Sequence, residues 1–377
     1  MNNFTLSPED QNWVEEKWQQ LCKKSEKVSV RSRNKIPYTA DANGVHDDKS
    51  ENEIDWWTNG FWPAYMWLMY VGTNNEEYKI TAEIAEEKLD KALEQTERLH
   101  HDVGFMWNIS AGVNYRLTQN KKSMQRFLAA ANTLAARFNV EGNFIKAWNG
   151  EDHVGWTIID CMMNIPLLYR ASDLEKDPRF KYIALRHADK TMQDHIRPDG
   201  SVVHIASHDI TNGELIETFG GQGYEVGSSW SRGQSWALYG FVLSYIHTGE
   251  IRYLDTAKKV AHYFIANVCD DYLPKCDFRS PEDPVIYDTT AGACAACGLI
   301  EIAKCVPQYE KKIYLNAALK LLHAMDEKFC DWSEDTDALL LYGTEAYTNG
   351  IHMPIIYGDY FYAEALYKLK GFDMLFW

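Results

Sequence analysis

Two kinds of helical segment alternate along this chain, and that alternation limits its folds more than any other feature. Six stretches, Pro8 to Val28, Glu77 to Leu99, Lys122 to Phe138, Arg179 to Ile196, Ile251 to Val268 and Lys311 to Phe329, have one apolar and one charged face. In the second of them Ile80, Ile84, Leu89 and Leu93 recur at helical spacing between Glu and Lys, the pattern of a half-solvated helix. Between these lie WWTNGFWPAYMWLMY, HDVGFMWNISAGVNYRL, WTIIDCMMNIPLLYRAS, SWSRGQSWALYGFVLSYIHTG, DTTAGACAACGLIEIAK and IYGDYFYAEALYKLKG. Each opens with polar or aromatic residues and is then apolar all round, as a helix buried on every side must be. Inner starts at Trp56, His101, Trp156, Ser229, Asp288 and Ile356 are unequally spaced, which suits a ring of helical hairpins better than a fixed-period solenoid. The expectation is an all-α (α/α)6 barrel of six helical hairpins. With no linker or low-complexity stretch, it forms a single domain over residues 1–377. The longer loops, His195 to Tyr224 and Cys269 to Tyr287, carry turn residues and room for short strands.

A net charge of -16, with no long basic run, argues against nucleic acid as a partner. MNNFTLSPEDQNWVEEKW lacks a signal-peptide pattern, and no segment reaches membrane-spanning length without charges, so a cytoplasmic protein with no membrane partner is expected. The eight cysteines form no disulfide framework, and the CxxC of Cys294 and Cys297 lacks a second ligand pair, which favours helix packing. Oligomeric state is not readable.

In such a barrel the inner helices begin at one mouth. Their starts supply Trp57, Trp62, His101, Asp102, Trp107, Asp160, Trp230, Arg232, Trp236, Asp288, Asp359 and Tyr360. Aromatic faces, carboxylates and an arginine suit an acidic pyranose. Asp160 is the sharpest signal, because a carboxylate among Ile158, Ile159, Met162, Met163 and Ile165 must be paired, protonated or at a cavity wall. Asp102 has helix capping as its competing explanation, and capping is the stronger reading for Asp288 and Asp359. HHD at His100 to Asp102 suggests a metal, but neighbours on a helix diverge and no ligand follows at i+3 or i+4, so none is expected.

WTNGFW, LHHDVGFMWNISA, FIKAWNG, TIIDCMMNIPLL, QGYEVGSSWSRGQSWALYG and YGDYFYAEAL, taken in order, resemble the unsaturated glucuronyl hydrolases of glycoside hydrolase family 88, from about Asp55 onward. The resemblance implies the (α/α)6 barrel and removal of a Δ4,5-unsaturated uronic acid from the non-reducing end of lyase-generated disaccharides and oligosaccharides. It implies Asp102 and Asp160 as the essential carboxylates. It places Trp57, His101, Trp148, His204, Gln222, Trp230, Arg232, Trp236 and Tyr360 against the substrate, with no cofactor. Lys146 in IKAW, the HIASHD around His204 and Cys276 in KCDF depart from the family's usual forms and bear on the next sugar rather than on the chemistry.

The Δ4,5 sugar is an enol ether, so its hydration requires an acid protonated near neutrality that then activates water. Burial beside a second carboxylate favours the protonated form, which points to Asp160 as acid and base. Asp102 then stays ionised, while Arg232 and Gln222 are candidates for holding the C6 carboxylate. An unsaturated rhamnogalacturonyl hydrolase shares this chemistry and is the nearest alternative. A sugar 2-epimerase needs facing histidines instead, and a silent glycan-binding protein predicts binding without turnover.

Overall fold

The computed structural model describes residues 5–377. In chain order the helices are α1 (Pro8–Arg31), α2 (Phe61–Thr73), α3 (Glu76–Leu93), α4 (Val103–Trp107), α5 (Ala111–Thr118), α6 (Lys121–Ala135), α7 (Cys161–Asn164), α8 (Pro166–Glu175), α9 (Pro178–Asp194), α10 (Ser231–Thr248), α11 (Ile251–Asn267), α12 (Thr289–Cys305), α13 (Lys311–Phe329) and α14 (Ile356–Leu369). All six expected amphipathic helices are present; five end within three residues of where the periodicity stops, and the second, expected to Leu99, ends at Leu93. Their starts are chemically marked. Ser7, Asn75, Asn120 and Asp177 accept backbone N–H groups from the first turns of α1, α3, α6 and α9, and Pro8 and Pro178 stand where no N–H is required.

The inner segments are enclosed as their sequences demand. Every residue of α10 from Ser231 to Ser244, of α12 from Thr289 to Ala303, and of α14 is buried. By contrast α9 buries only Phe180, Ala184, His187, Ala188 and Thr191, one stripe at helical spacing. The inner contacts close on themselves. Helix α2 packs on α14, α14 on α12, α12 on α10, α10 on α7, α7 on α4, and α4 on the 3₁₀ turn Trp57–Gly60 that leads into α2. Outside this ring α3 lies on α2, α6 on α4 and α5, α9 on α8, α11 on α10, α13 on α12, and α1 on α14 and α2. Among the described residues no helix is long and apolar enough to cross a membrane, and all eight cysteines are free. Cys294 and Cys297 are packed inside α12, where burial pushes both thiols up.

Two inner segments differ from the expectation of one continuous helix. In the second, the helix breaks between Trp107 and Ala111, and in the third Pro166, which has no N–H to donate, restarts it as α8. The third also begins as a strand: β3 (Trp156–Ile158) joins β4 (Ile205–His208) and β5 (Leu215–Phe219) in an antiparallel sheet, alongside the hairpin β1 (Phe138–Asn139) and β2 (Phe144–Ile145). Asp160 therefore stands at a strand-to-helix junction, not within a first helical turn. Its segment is rich in β-branched residues, and the sheet partner lies 47 to 51 residues further on, from Ile158↔Ile205 to Trp156↔Ser207.

An aromatic hub fills the ring. Phe61 of α2, Phe105 of α4, Trp236 of α10 and Phe361 of α14 meet with centroids 5.2–5.7 Å apart. Trp377 completes it from beyond α14, stacked 5.9 Å and 7° from Phe361. Its indole N–H donates 3.2 Å to Glu364, which also receives the Tyr239 hydroxyl at 2.8 Å and sits 3.3 Å from Lys368. Arg116 and Arg170 hold the backbone carbonyls of Leu375, Phe376 and Trp377. Trp377→Ala should therefore cost about 3–5 kcal/mol in urea unfolding, the usual range for deleting a buried Trp. A cost under ~1 kcal/mol would mean that the other four rings support themselves.

Candidate active site

Strand β3 and its neighbour β4 bring the first pair of functional groups together. Asp160 follows β3, His204 precedes Ile205 of β4, and the two segments are tied by the Ile159 N–H donating to the His204 carbonyl at 3.0 Å. This sets Asp160 Oδ1 3.5 Å from His204 Nε2. Both atoms are buried without a hydrogen-bond partner, an expensive arrangement unless another molecule enters. The Gln222 N–H lies 3.0 Å from His204 Nδ1, which also has the Gly220 carbonyl at 3.3 Å, while Nε2 faces the carboxylate. Although Asp160 occupies the cap position of α7, its side chain makes no cap hydrogen bond.

Asp102 stands at the corresponding place before α4, again with no capping bond, which removes the competing explanation for it. Its carboxylate is held by two neighbours, His101 Nε2 at 3.1 Å and Asn164 Nδ2 at 3.2 Å, while His100 Nδ1 lies 3.4 Å away without a hydrogen bond. The other nitrogen of His101 lies 2.9 Å from the Ala147 carbonyl. With an acceptor at each ring nitrogen, His101 is satisfied only as the imidazolium. Burial alone would lower the His101 pKa, but the Asp102 charge outweighs it and holds it above the usual value. Burial alone would raise Asp102, yet the adjacent imidazolium holds that carboxyl below its usual range. His100 has weaker support, and burial pushes it down to about 4.

The ligand atoms of His100, His101 and Asp102 lie within 4.8 Å of one another, so the expectation that these neighbours diverge is corrected. They converge because Asp102 and the histidines sit in a turn before α4 rather than on a helix. They are the residues here that could hold a cation. The charge state of His101 favours an ion pair over a ligand set, since an imidazolium has no lone pair to give.

Asn164 was not among the expected site residues. From α7 its amide nitrogen reaches Asp102 at 3.2 Å and the Asp160 carbonyl at 3.1 Å, while its oxygen accepts the Phe105 N–H at 2.8 Å. One side chain thus registers the two aspartate-bearing segments against each other. Gly104 allows the approach: a Cβ there would lie 2.5 Å from Asn164 Cα. The signal was present in IIDCMMNIP, where Asn164 is the second polar residue of an apolar run, four positions after Asp160.

Arg232 is in the site but differently employed than expected. Its Nη1 donates to Asp288 at 2.6 Å and to the Thr344 carbonyl, and its Nη2 to the Glu345 carbonyl at 2.5 Å. The fork expected to grip a sugar carboxylate is therefore committed to the protein, leaving Nε as a buried donor without a partner. Gln222 is likewise engaged, donating 2.6 Å to the Glu345 carbonyl. Asp288 caps α12 through Thr290 N–H at 3.1 Å, and Asp359 accepts Leu339 and Leu340 N–H groups at 3.0 and 2.7 Å. Asp288 is thus the cap that was expected, whereas Asp359, in the first turn of α14, caps nothing and instead ties down the loop at Leu339 and Leu340, with burial pushing it up to about 7.

The aromatic residues divide. Trp230 lies 4.2 Å from the His204 ring and under the Arg232 guanidinium at 4.5 Å. Trp57 is half-buried beside Tyr357 at 5.1 Å, and Trp148 stands edge-on to His101 at 5.7 Å. Trp236, Trp62 and Trp107 are wholly buried, and Tyr360 packs into the hub against Phe61 and Trp377. Tyr357, one turn earlier on α14, is the tyrosine beside Arg232, at 5.5 Å. YGDYFY offers tyrosines at i and i+3 on an all-buried helix, so spacing alone cannot choose between them. Lys146 lies elsewhere, in an open cleft with Thr96, Asn132, Arg137 and Asn149.

Known proteins share this arrangement of chain. The family model described as Glycosyl Hydrolase Family 88 matches residues 28–276. An unsaturated glucuronyl hydrolase of Bacillus sp. (strain GL1) is 32% identical over 369 residues, 94% of this chain and 97% of that protein. An unsaturated chondroitin disaccharide hydrolase of Streptococcus pyogenes serotype M1 is 32% identical over 321 residues, 83% of this chain and 80% of that protein. A solved structure described as a UGL variant with dGlcA-Glc-Rha-Glc superimposes with a TM-score of 0.89 at 30% identity, covering 94% of this chain and 97% of the other. The chain belongs to glycosyl hydrolase family 88 and is a glycoside hydrolase.

Proposed function

We propose that this enzyme releases Δ4,5-unsaturated glucuronic acid from the non-reducing end of lyase-generated disaccharides and oligosaccharides by hydrating the C4=C5 bond. One observation carries the reading: the two aspartates at the mouth are unlike. Asp102 is fixed as a carboxylate by an imidazolium, whereas Asp160 presents a buried oxygen with no hydrogen-bond partner. An acid that must give and retrieve a proton needs such an open oxygen, and a charge stabiliser needs the opposite. The closed ring of inner helices supports an (α/α)6 barrel formed as one domain over 1–377. Eight free cysteines fit a reducing, cytoplasmic setting.

In this mechanism Asp160 protonates C4, the π pair forms the new C4–H bond, and positive charge develops at C5 and the ring oxygen. Ionised Asp102 faces that charge and the ring hydroxyls. Water adds at C5 and returns its proton to Asp160, beside which His204 Nε2 stands. The C5 hemiketal then opens, and the hemiacetal left at C1 expels the aglycone as an alcohol. Arg232 Nε and the segment at Gln222 hold the C6 carboxylate, a role supported by the unpartnered Nε, and Trp57, Trp148 and Trp230 wall the sugar. Trp236 and Tyr360 act from behind, as packing. An unsaturated rhamnogalacturonyl hydrolase remains the nearest alternative, and pectin-derived disaccharides assayed beside chondroitin-derived ones separate the two.

The deciding experiment follows loss of the unsaturated chromophore in heavy and oxygen-labelled water. One deuterium should appear at C4 and the early oxygen label at C5, whereas ordinary glycosidic hydrolysis would label C1 and leave C4 untouched. Asp160→Asn should lower turnover by about 10²–10⁴-fold while the protein still unfolds cooperatively at the wild-type urea midpoint. Near-wild-type turnover would remove Asp160 from the chemistry.

The His101–Asp102 pair also sets a pH window. Its stabilisation is lost as pH falls through the depressed Asp102 pKa or rises through the elevated His101 pKa, so it is present between them. His101→Gln removes the imidazolium, so the Asp102 pKa should rise toward its ordinary value and the acid limb of the kcat/KM profile should move to higher pH. An acid limb left in place would show that another group governs it.

A further inference from the structure

Arg232 and Gln222 take their aim from one carbonyl. The Glu345 carbonyl receives Arg232 Nη2 at 2.5 Å and Gln222 Nε2 at 2.6 Å, so a single residue of the loop closed by the Gly343–Met353 bridge sets both groups proposed above for the C6 carboxylate. The same residue carries a hazard. Its side chain ends in a carboxylate, beside a guanidinium whose Nε has no partner. A guanidinium and a carboxylate brought together in a buried site form a strong charge-assisted pair. Such a pair would fill the place of the substrate's own carboxylate. The two charges are close enough to act on one group: burial pushes the Tyr357 hydroxyl up, Arg232 pulls it down and Glu345 adds to the rise.

Glu345 and Arg232 nevertheless form no ion pair. The Tyr38 hydroxyl donates to Glu345 Oε1, and Asn349 Nδ2 donates to Oε2 at 3.2 Å. Tyr38 is buried and belongs to the segment between α1 and the 3₁₀ turn, so this tether is long-range. Its backbone is anchored on both sides: the N–H donates to Asp47 Oδ1 at 2.7 Å, and the carbonyl accepts the Ile356 N–H at 2.9 Å, at the start of α14. Its ring stands edge-on to Trp56 at 5.7 Å, with the Lys49 ammonium 5.3 Å from its centroid. The loop tip is shaped to the same end. The Glu345 N–H donates to the Gly350 carbonyl at 2.9 Å, and Gly350, at φ +59°, has Glu345 Oε2 only 2.4 Å from where a Cβ would stand. Glycine there leaves room for the carboxylate at the turn.

Resting on the function proposed above, we propose that Tyr38 and Glu345 are positioning residues for the C6 carboxylate: the Glu345 carbonyl aims Arg232 and Gln222, and the Tyr38 hydroxyl holds the Glu345 carboxylate off the Arg232 Nε that the substrate must reach. The test is a double-mutant cycle of Tyr38→Phe and Glu345→Gln, with kcat and KM for an unsaturated glucuronyl disaccharide read from loss of its chromophore. Tyr38→Phe should raise KM about tenfold and leave kcat within about twofold, the scale and signature of a lost charge-assisted contact to bound substrate. In the Glu345→Gln background the same Tyr38→Phe change should move KM by less than about twofold, because an amide carries no charge with which to compete for the guanidinium. A tyrosine that served only to pack against Trp56 would raise KM equally in both backgrounds, and that result overturns the proposal. So does a Tyr38→Phe enzyme whose KM stays within about twofold of wild type, or whose loss is confined to kcat. Each of these outcomes leaves the function intact. No chromophore loss by the wild type with any unsaturated disaccharide overturns the function, and the positioning role with it.

Discussion

The aromatic hub is the constraint from which the rest of this structure follows. A ring of helices has two open ends and a hollow axis, and an axis left empty would forfeit the close contacts on which inner helices depend. Phe61, Phe105, Trp236, Phe361 and Trp377 fill it. Each fully buried aromatic of this size contributes on the order of 1.5–3 kcal/mol relative to exposure. Once the axis is filled, the inner helices have no wet face, so polar side chains concentrate at their starts or must be fully paired. Glu364 with Lys368, Tyr239 and Trp377 is the paired case; the mouth is the other.

At the mouth, the division of labour between two carboxylates arises from their neighbours. Asp102 has an imidazolium and an amide on it, and a buried charge so surrounded persists. Asp160 has only the distant Nε2 of His204. Asn164 reaches both segments and Gly104 lets them approach, so the catalytic geometry is set by a close backbone crossing between α4 and α7. Arg232 shows the same economy of charge: Asp288 neutralises it and loop carbonyls orient it, leaving one N–H pointing where no protein atom answers.

Much of this was legible in the chain. The charged stripes of the outer helices and the all-round apolarity of α10, α12 and α14 announce their places, because one-faced and fully enclosed helices need different residue patterns. Asp160 was conspicuous for the same reason, being the wrong residue for its surroundings unless function required it. Capping preference correctly accounted for Asp288 but not for Asp359, whose carboxylate binds the N–H groups of a distant loop. It left Asp102 open, since a cap position reveals nothing about where the carboxylate turns.

What the sequence alone determined is thus which segments are buried, on how many sides, and where charge intrudes, since these depend on periodicity and local composition. Only the tertiary structure decided what depends on partners distant in the chain. Trp156–Ile158 became a strand because β4 lies alongside it, and His100 and His101 converged on Asp102 because their turn is closed by Ala147 and Asn164. The guanidinium of Arg232 turned to Asp288 and the loop after Leu341, and Tyr357 rather than Tyr360 faced it. Side-chain direction at a crowded helix start is set by whichever long-range partner satisfies the buried polar group, and no local pattern encodes that choice.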